Sequence, residues 1–186
     1  MKRLIAGEFH VDIFSDPTFQ QDSADNINQY NSIYLAEDVS GFASAFGIKV
    51  YKDAEVLNSV LIGSFGGATG IYTNSLIVEP HRLVICCADS VFCLAIPTLL
   101  LQWKTKADVT TCFEIFKYKS DYIVHGEMEI SRLSADGDLI WQQSGADIFV
   151  SAKSNKNNFV VTNNYILATD WGNRIYKFDF DGNVIL

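Results

Sequence analysis

Clusters of positive charge are missing from this chain. Fourteen Lys and Arg stand against 22 Asp and Glu, a formal net charge of −8, and the cations never gather into a run. Docking on a nucleic-acid backbone or an anionic membrane needs such clusters, so neither is an expected partner. Long hydrophobic runs are missing too. The greasiest stretch, 90–101, follows Asp89, contains Pro97 and is too short to span a bilayer, so it reads as two strands of a hairpin. Glu8, His10 and Asp12 interrupt the N-terminal residues before a signal-peptide core could form, which points to a cytoplasmic protein.

Catalytic and cofactor signatures are also lacking. The Gly-rich stretch 63–70 has no Gly-Lys-Ser/Thr and precedes a strand, so it is no phosphate loop, and no dinucleotide fingerprint occurs. Asp179, Asp181 and Asn183 lack the remaining ligands of a calcium loop, and with Gly182 they read as a hairpin turn, as do Asp136 and Gly137. Adjacent Cys86 and Cys87 point to opposite faces of a strand and cannot jointly grip one metal. With Cys93 and Cys112 they read as small buried hydrophobes in a reducing compartment. No cofactor and no metal is expected.

What is present is aromatic and repetitive. Thirteen Phe, eight Tyr and three Trp against three Pro favour strands. One unit occurs three times, beginning at Leu83, Tyr122 and Tyr165, with starts 39 and 43 residues apart (122 − 83 and 165 − 122). That spacing suits stacked four-stranded β-meanders of propeller-blade size. An apolar residue precedes each start by six positions: Ile77, Phe116 and Phe159. Trp103 and Trp141 follow the first two units at one repeat position, and Thr69, Asp108 and Asp147 fall at the crossings between units. The fold expected is all-β, a single repeat domain. A divergent unit covers about 1–66, and repeats cover about 67–105, 106–144 and 145–186. In the divergent unit, 4–14 supplies the innermost strand, 33–35 and 47–51 the middle strands and 60–62 an outer strand. The units build either a small four-unit propeller-like ring or an open stack or sandwich, whose exposed sheet edge could pair with a second copy.

The succession of an apolar strand, a Tyr-Ile-Val-x-Gly strand at 122–126, a strand ending near Asp136 and Gly137, and then Leu139, Ile140 and Trp141 resembles the repeats of the quinoprotein-like β-propellers, the PQQ-repeat group. The resemblance covers about 62–186. Repeats of this kind occur both in quinone-dependent dehydrogenases and in non-enzymatic scaffolds. Four units cannot build the calcium-held quinone site of the far longer dehydrogenases, so the resemblance to those enzymes lies in repeat grammar alone.

Five residues are candidates for binding. Thr69, Asp108 and Asp147 recur at crossings that lie at one mouth of the central channel, where two carboxylates and a hydroxyl could hold a polar ligand, or could cap turns. His125 sits on a strand, within reach of Glu127 and Glu129 if period-two geometry holds, or as a satisfied structural histidine. Trp171 lies where the third unit carries two extra residues, on a loop, as a contact anchor would. The polar segment 15–30 is the longest irregular insertion, and its Asp16, Asp22 and Asp25 are candidate steering charges. Together these point to a non-catalytic protein-binding or scaffold module, of which a small acidic immunity-type or regulatory partner protein is one version. The alternative is a small-ligand binder or hydrolytic enzyme working at the channel mouth.

Overall fold

The computed structural model describes residues 1–36, 44–150 and 158–185, and among these there are sixteen β-strands and no helix. The first sheet holds β1 (Lys2–Ala6), β2 (Phe9–Ser15), β3 (Ser32–Leu35), β4 (Ser44–Lys52) and β5 (Glu55–Ser64). The second is β6 (Leu76–Glu79), β7 (Arg82–Cys87), β8 (Ser90–Ala95) and β9 (Leu101–Lys106). The third is β10 (Cys112–Tyr118), β11 (Asp121–Gly126), β12 (Glu129–Leu133) and β13 (Leu139–Ser144). The fourth is β14 (Phe159–Val161), β15 (Ile166–Thr169) and β16 (Ile175–Phe178), with a fourth strand begun where Val184 bridges Phe178 and the Ile185 amide donates to the Lys177 carbonyl. The second and third sheets are antiparallel meanders in chain order, as their repeat predicts.

Successive sheets pack face to face. Ile13, Ile48, Val50 and Ile62 of the first meet Leu83, Ile85, Phe92 and Leu94 of the second. Val84, Cys86, Val91 and Cys93 of the second meet Ile115, Tyr122, Val124 and Leu133 of the third. Ile123 and Ile130 of the third meet Phe159, Ile166, Ala168 and Phe178 of the fourth. Cys86 and Cys87 enter different clusters, so they do lie on opposite faces. Strands buried on both faces are largely apolar, which is why β7 and β8 read as nearly continuous greasy runs, while the polar Asp121 and His125 of the equally buried β11 are each hydrogen-bonded. No buried cluster among the described residues joins the first sheet to the fourth.

Two expectations are corrected. Residues 4–14 are two strands, the β1–β2 hairpin, turning at Gly7 with φ +60°. Ile33, Tyr34 and Leu35 are an outer edge, with β3 parallel to β5 and outside 60–62. Parallel pairing needs a connection of a dozen residues or more, and 16–31 is long enough to supply it. The second correction concerns register. Leu83 pairs with Leu94 and Tyr122 with Leu133, but the equivalent pair in the fourth sheet is Ile166 with Phe178. The third unit therefore begins at Ile166, not Tyr165, and carries one extra residue. A slip of one residue exchanges the faces of a strand, so Ile166 and Ala168, not Tyr165 and Leu167, point back to the third sheet.

The connection 16–31 is a cap. Phe19 and Tyr30 meet edge to face, ring centroids 5.6 Å apart, over Ala45 and Leu61 on the outer face of the first sheet. Asp16 is buried and its Oδ2 accepts from the Tyr30 hydroxyl (2.6 Å) and from Asn28 Nδ2 (3.1 Å). Burial, then this bond, pushes the Tyr30 phenol far above its ordinary range.

Candidate functional site

One end of the stack carries the described segments of the crossings between sheets, 65–75, 107–111 and 145–150, together with the turns that join the second and third strands of each meander. Backbone bonds knit these segments into a continuous ladder. The Asp89 amide donates to the Phe65 carbonyl, the Cys112 amide to Ala88, the Gly67 amide to Thr110, the Glu127 amide to Thr111, the Phe149 amide to Glu127 and the Trp171 amide to Ile148. The rim so formed is held by hydrogen bonds from both sides, so side chains it displays are presented from a fixed backbone.

Asp108 is a strut of this rim. It is buried; Oδ1 accepts from the Thr110 and Thr111 amides at 2.6 and 2.9 Å, and Oδ2 from the Met128 and Glu129 amides at 2.9 and 2.7 Å. Four backbone donors occupy the carboxylate, and a Cβ on Gly126 would collide with it, so it caps two turns. Asp147 stands at the next crossing but is exposed, and Oδ1 accepts from the neighbouring Ile148 amide. Thr69 is buried, its amide donating to Ser44 Oγ and its hydroxyl to the Cys112 carbonyl. The two aspartates and the threonine thus have three different environments despite their shared repeat position.

His125 pairs with neither Glu127 nor Glu129. Its Nδ1 lies 3.0 Å from Glu114 Oε2 and its Nε2 3.0 Å from the Phe149 carbonyl oxygen, while its ring stacks on Phe159 at 4.3 Å. The true partner is Glu114, directly across the β10–β11 ladder. A cross-strand pair depends on register and is invisible to spacing along one strand. The His125 bond holds the Glu114 carboxyl below its ordinary pKa, against the opposing effect of burial. Glu127 instead accepts from Thr111 Oγ1.

A cavity of about 740 Å³ opens between β1, the segment 68–74 and β10, with Lys2, Thr69, Asn74 and Glu114 among its lining residues. It gathers Thr69 and, through Glu114, the neighbourhood of His125, but neither Asp108 nor Asp147. Its polar groups are engaged with one another: Lys2 Nζ donates to the Tyr72 carbonyl at 2.8 Å and Asn74 Nδ2 to Glu114 Oε1 at 3.1 Å. Among the described residues no buried side-chain polar atom lacks a partner, and no cluster of three or more His, Cys, Asp or Glu is arranged for a metal. The four cysteines are buried thiols; burial pushes Cys93 up to about 11 and the other three higher.

What the rim does display is apolar. Val109 is 59% exposed, Trp171 50% and Met128 36%. Met128 lies beside Val109 because Asp108 holds both turns, and Trp171 follows through Glu127, Phe149 and Ile148. Around them stand Glu127, Glu129 and the exposed Asp147. Trp171 occupies a turn closed by Asp170, whose buried carboxylate accepts from the Arg174 amide at 2.8 Å and the Tyr176 hydroxyl at 2.9 Å. Val109 and Met128 escape a reading of the sequence, since a lone Val or Met beside a turn has no signature.

A stack of four sheets, three of them repeats of one antiparallel meander, defines a β-propeller-like fold. No protein-family model and no curated protein matches the chain. Among solved structures it is similar to BamB from Moraxella catarrhalis at 15% identity and TM-score 0.52, over 79% of this chain and 44% of that one. It is also similar to the AfRom2 CNH domain (14%, TM-score 0.47, 99% and 65%) and to the WD40 beta propeller domain of Doa1 (13%, TM-score 0.39, 74% and 42%). The chain spans less than half the length of the BamB structure. At these identities the likeness concerns the fold alone.

Proposed function

We propose that this chain is a non-catalytic protein-binding module of PQQ-like repeat type, and that it docks a protein partner on the turn-bearing rim. The observation that carries this reading is the alignment of Val109, Met128 and Trp171 on one hydrogen-bonded backbone ladder. Exposed apolar side chains on a rigid frame cost little ordering entropy on binding, and a tryptophan is the commonest kind of hot-spot anchor. The carboxylates of Glu127, Glu129 and Asp147 and the overall charge of −8 favour a partner with a basic rim. A small acidic immunity-type protein bound to a basic toxin fits this chemistry.

The test is capture from the native source by the tagged chain, identification of the bound protein, and reconstitution of the purified pair. Trp171→Ala and Met128→Ser together are expected to weaken the pair at least tenfold with an unchanged melting midpoint, and binding is expected to weaken with salt. Equal affinity of the double variant would remove the rim from the proposal.

A further inference from the structure

We propose that the cavity between β1, the segment 68–74 and β10 binds a small zwitterion with an apolar side chain, an amino acid or a short peptide, whose ammonium group is received by Glu114 and whose carboxylate is received by Lys2. The site is separate from the rim surface and does not rest on the docking function proposed for it.

At about 740 Å³ the cavity falls in the size range of small-molecule pockets, roughly 300–1,000 Å³. Two of its lining residues, Phe113 and Glu114, are neighbours in sequence. Successive residues of a regular strand face opposite ways, but the β10–β11 ladder shifts register between Cys112 and Glu114, a β-bulge at Phe113 that lets both side chains reach one cavity. Neither the β6–β7 nor the β14–β15 ladder carries such a shift. The charge is as local as the bulge. Counted from Leu83, Tyr122 and Ile166, the pair Glu114 and His125 occupies the positions held by Ser75 and Cys86 in the second sheet and by Asn158 and Thr169 in the fourth. Two sister sheets build the same meander with uncharged residues there, so the fold does not call for a carboxylate, and a partly buried one costs desolvation. An ionised group set into a cleft at that cost points to a binding site.

Glu114 is presented ready to accept. Its side chain is 27% exposed, and His125 Nδ1 and Asn74 Nδ2 each donate to one of its oxygens. A carboxylate has about four acceptor positions, so about two are left for a ligand. The bond from His125 holds the carboxyl below its ordinary pKa against the opposing effect of burial, with help from Asn74, so the group is ionised at neutral pH. The opposite charge comes from Lys2, whose Nζ donates to the Tyr72 carbonyl at 2.8 Å and makes no ion pair among the described residues. About two of its three donors are left for a carboxylate. Two rings furnish apolar wall. Tyr72, 69% exposed, lies on Gly70 so closely that a Cβ there would come within 2.3 Å of the ring, and Phe113 stands edge to face with His125 at 5.7 Å. A ligand with a single charge would meet only half of this site; one that carries both charges and an apolar side chain meets all of it.

The experiment is an NMR titration of the isotope-labelled full chain with L-leucine and the dipeptide Ala-Leu, and with isoamylamine and isocaproate, which are leucine without its carboxylate and without its ammonium group. Both zwitterions are expected to shift the amide signals of 69–74 and 112–114 saturably, with Kd on the order of 1 mM, and each half-ligand to bind at least about tenfold more weakly. Glu114→Gln should weaken leucine about tenfold. Because Glu114 also braces His125, Lys2→Met, on the edge strand β1, is the variant that leaves the packing of the sheets alone, and it too should weaken leucine about tenfold. Asp136→Asn, at an exposed turn residue, makes the same change in net charge as Glu114→Gln and should leave binding unaltered. Equal affinity for leucine and isoamylamine, binding that survives both Glu114→Gln and Lys2→Met, or signals unmoved by either zwitterion at about tenfold above the expected Kd would overturn the proposal. Either order of affinity between leucine and Ala-Leu supports it, and the tighter of the two tells whether a free amino acid or a peptide is the source.

Discussion

The indole of Trp103 lies across Gly137 of the next sheet so closely that a Cβ on that glycine would fall 2.5 Å from a ring carbon. The same contact recurs one repeat on, where a Cβ on Gly182 would come within 2.8 Å of Trp141. Each indole N–H also donates across the same boundary, Trp103 to the Ala135 carbonyl at 3.1 Å and Trp141 to the Phe180 carbonyl at 2.9 Å. Arg82 and Arg132 reach those same two carbonyls. A tryptophan, an arginine and a turn glycine thus staple the second sheet to the third and the third to the fourth.

Gly137→Ala should therefore be costly for two reasons that add. The residue has φ +88°, which a β-carbon resists, and the indole stands where the methyl would go. We expect a loss of about 1–3 kcal/mol in a urea melt, with Gly182→Ala (φ +84°) behaving alike. A neutral result at both sites would mean that the indoles move aside freely.

The two kinds of tryptophan should separate cleanly. Trp141→Ala removes a half-buried ring packed in the contact between the third and fourth sheets, together with its hydrogen bond to Phe180, and should cost about 3 kcal/mol, the low end for aromatic truncation because the ring is not fully enclosed. Trp171→Ala touches an exposed turn residue and should stay within about 0.5 kcal/mol. Equal losses in denaturant would erase the distinction between staple and display.

The repeat made the meanders of the second and third sheets legible, because strand alternation, Asp-Gly turns and the recurrence of Trp103 and Trp141 all point the same way. It made Trp171 legible as a loop aromatic. The fourth sheet was read one residue out of register: Tyr165 and Ile166 are both good strand residues, and which of them faces inward is settled by pairing with Phe178, not by composition. The parallel β3 was unreadable for a similar reason, since its partner β5 lies beyond β4 in sequence. His125 was readable as a satisfied structural histidine or as a neighbour of Glu127 and Glu129 along its own strand, but not as the partner of Glu114, which is its neighbour only across a strand pair.

Asp16 tests the reading of 16–31 as a cap. Sequence places Asp16 with Asp22 and Asp25 among steering charges, but its carboxylate is buried beneath Tyr30 and Asn28. Asp16→Ala strands both donors and should cost about 1–3 kcal/mol. Asp25→Lys, at an exposed position, should change stability by less than about 0.5 kcal/mol. If the two variants melt together, the cap contributes nothing to the first sheet.

Glu114 should give the molecule a measurable acid sensitivity. Its carboxylate accepts from His125 Nδ1 and Asn74 Nδ2, and its folded pKa lies below the ordinary value, so the stabilisation is fully present above the unfolded pKa of about 4.3 and is lost as pH falls through the lower, folded pKa. Glu114→Gln keeps the shape and removes that charge. At neutral pH the variant should be less stable by about 1 kcal/mol, discounted for the part of the side chain that meets solvent. Other depressed carboxylates, such as Asp12 beside Arg3, titrate over the same acid range, but they act equally on both proteins and cancel in the difference. Urea midpoints of the parent and the Glu114→Gln variant, measured from pH 7 downward, should therefore converge below about pH 4. A gap that stays constant into acid would show that the ionised carboxylate is not what His125 is holding.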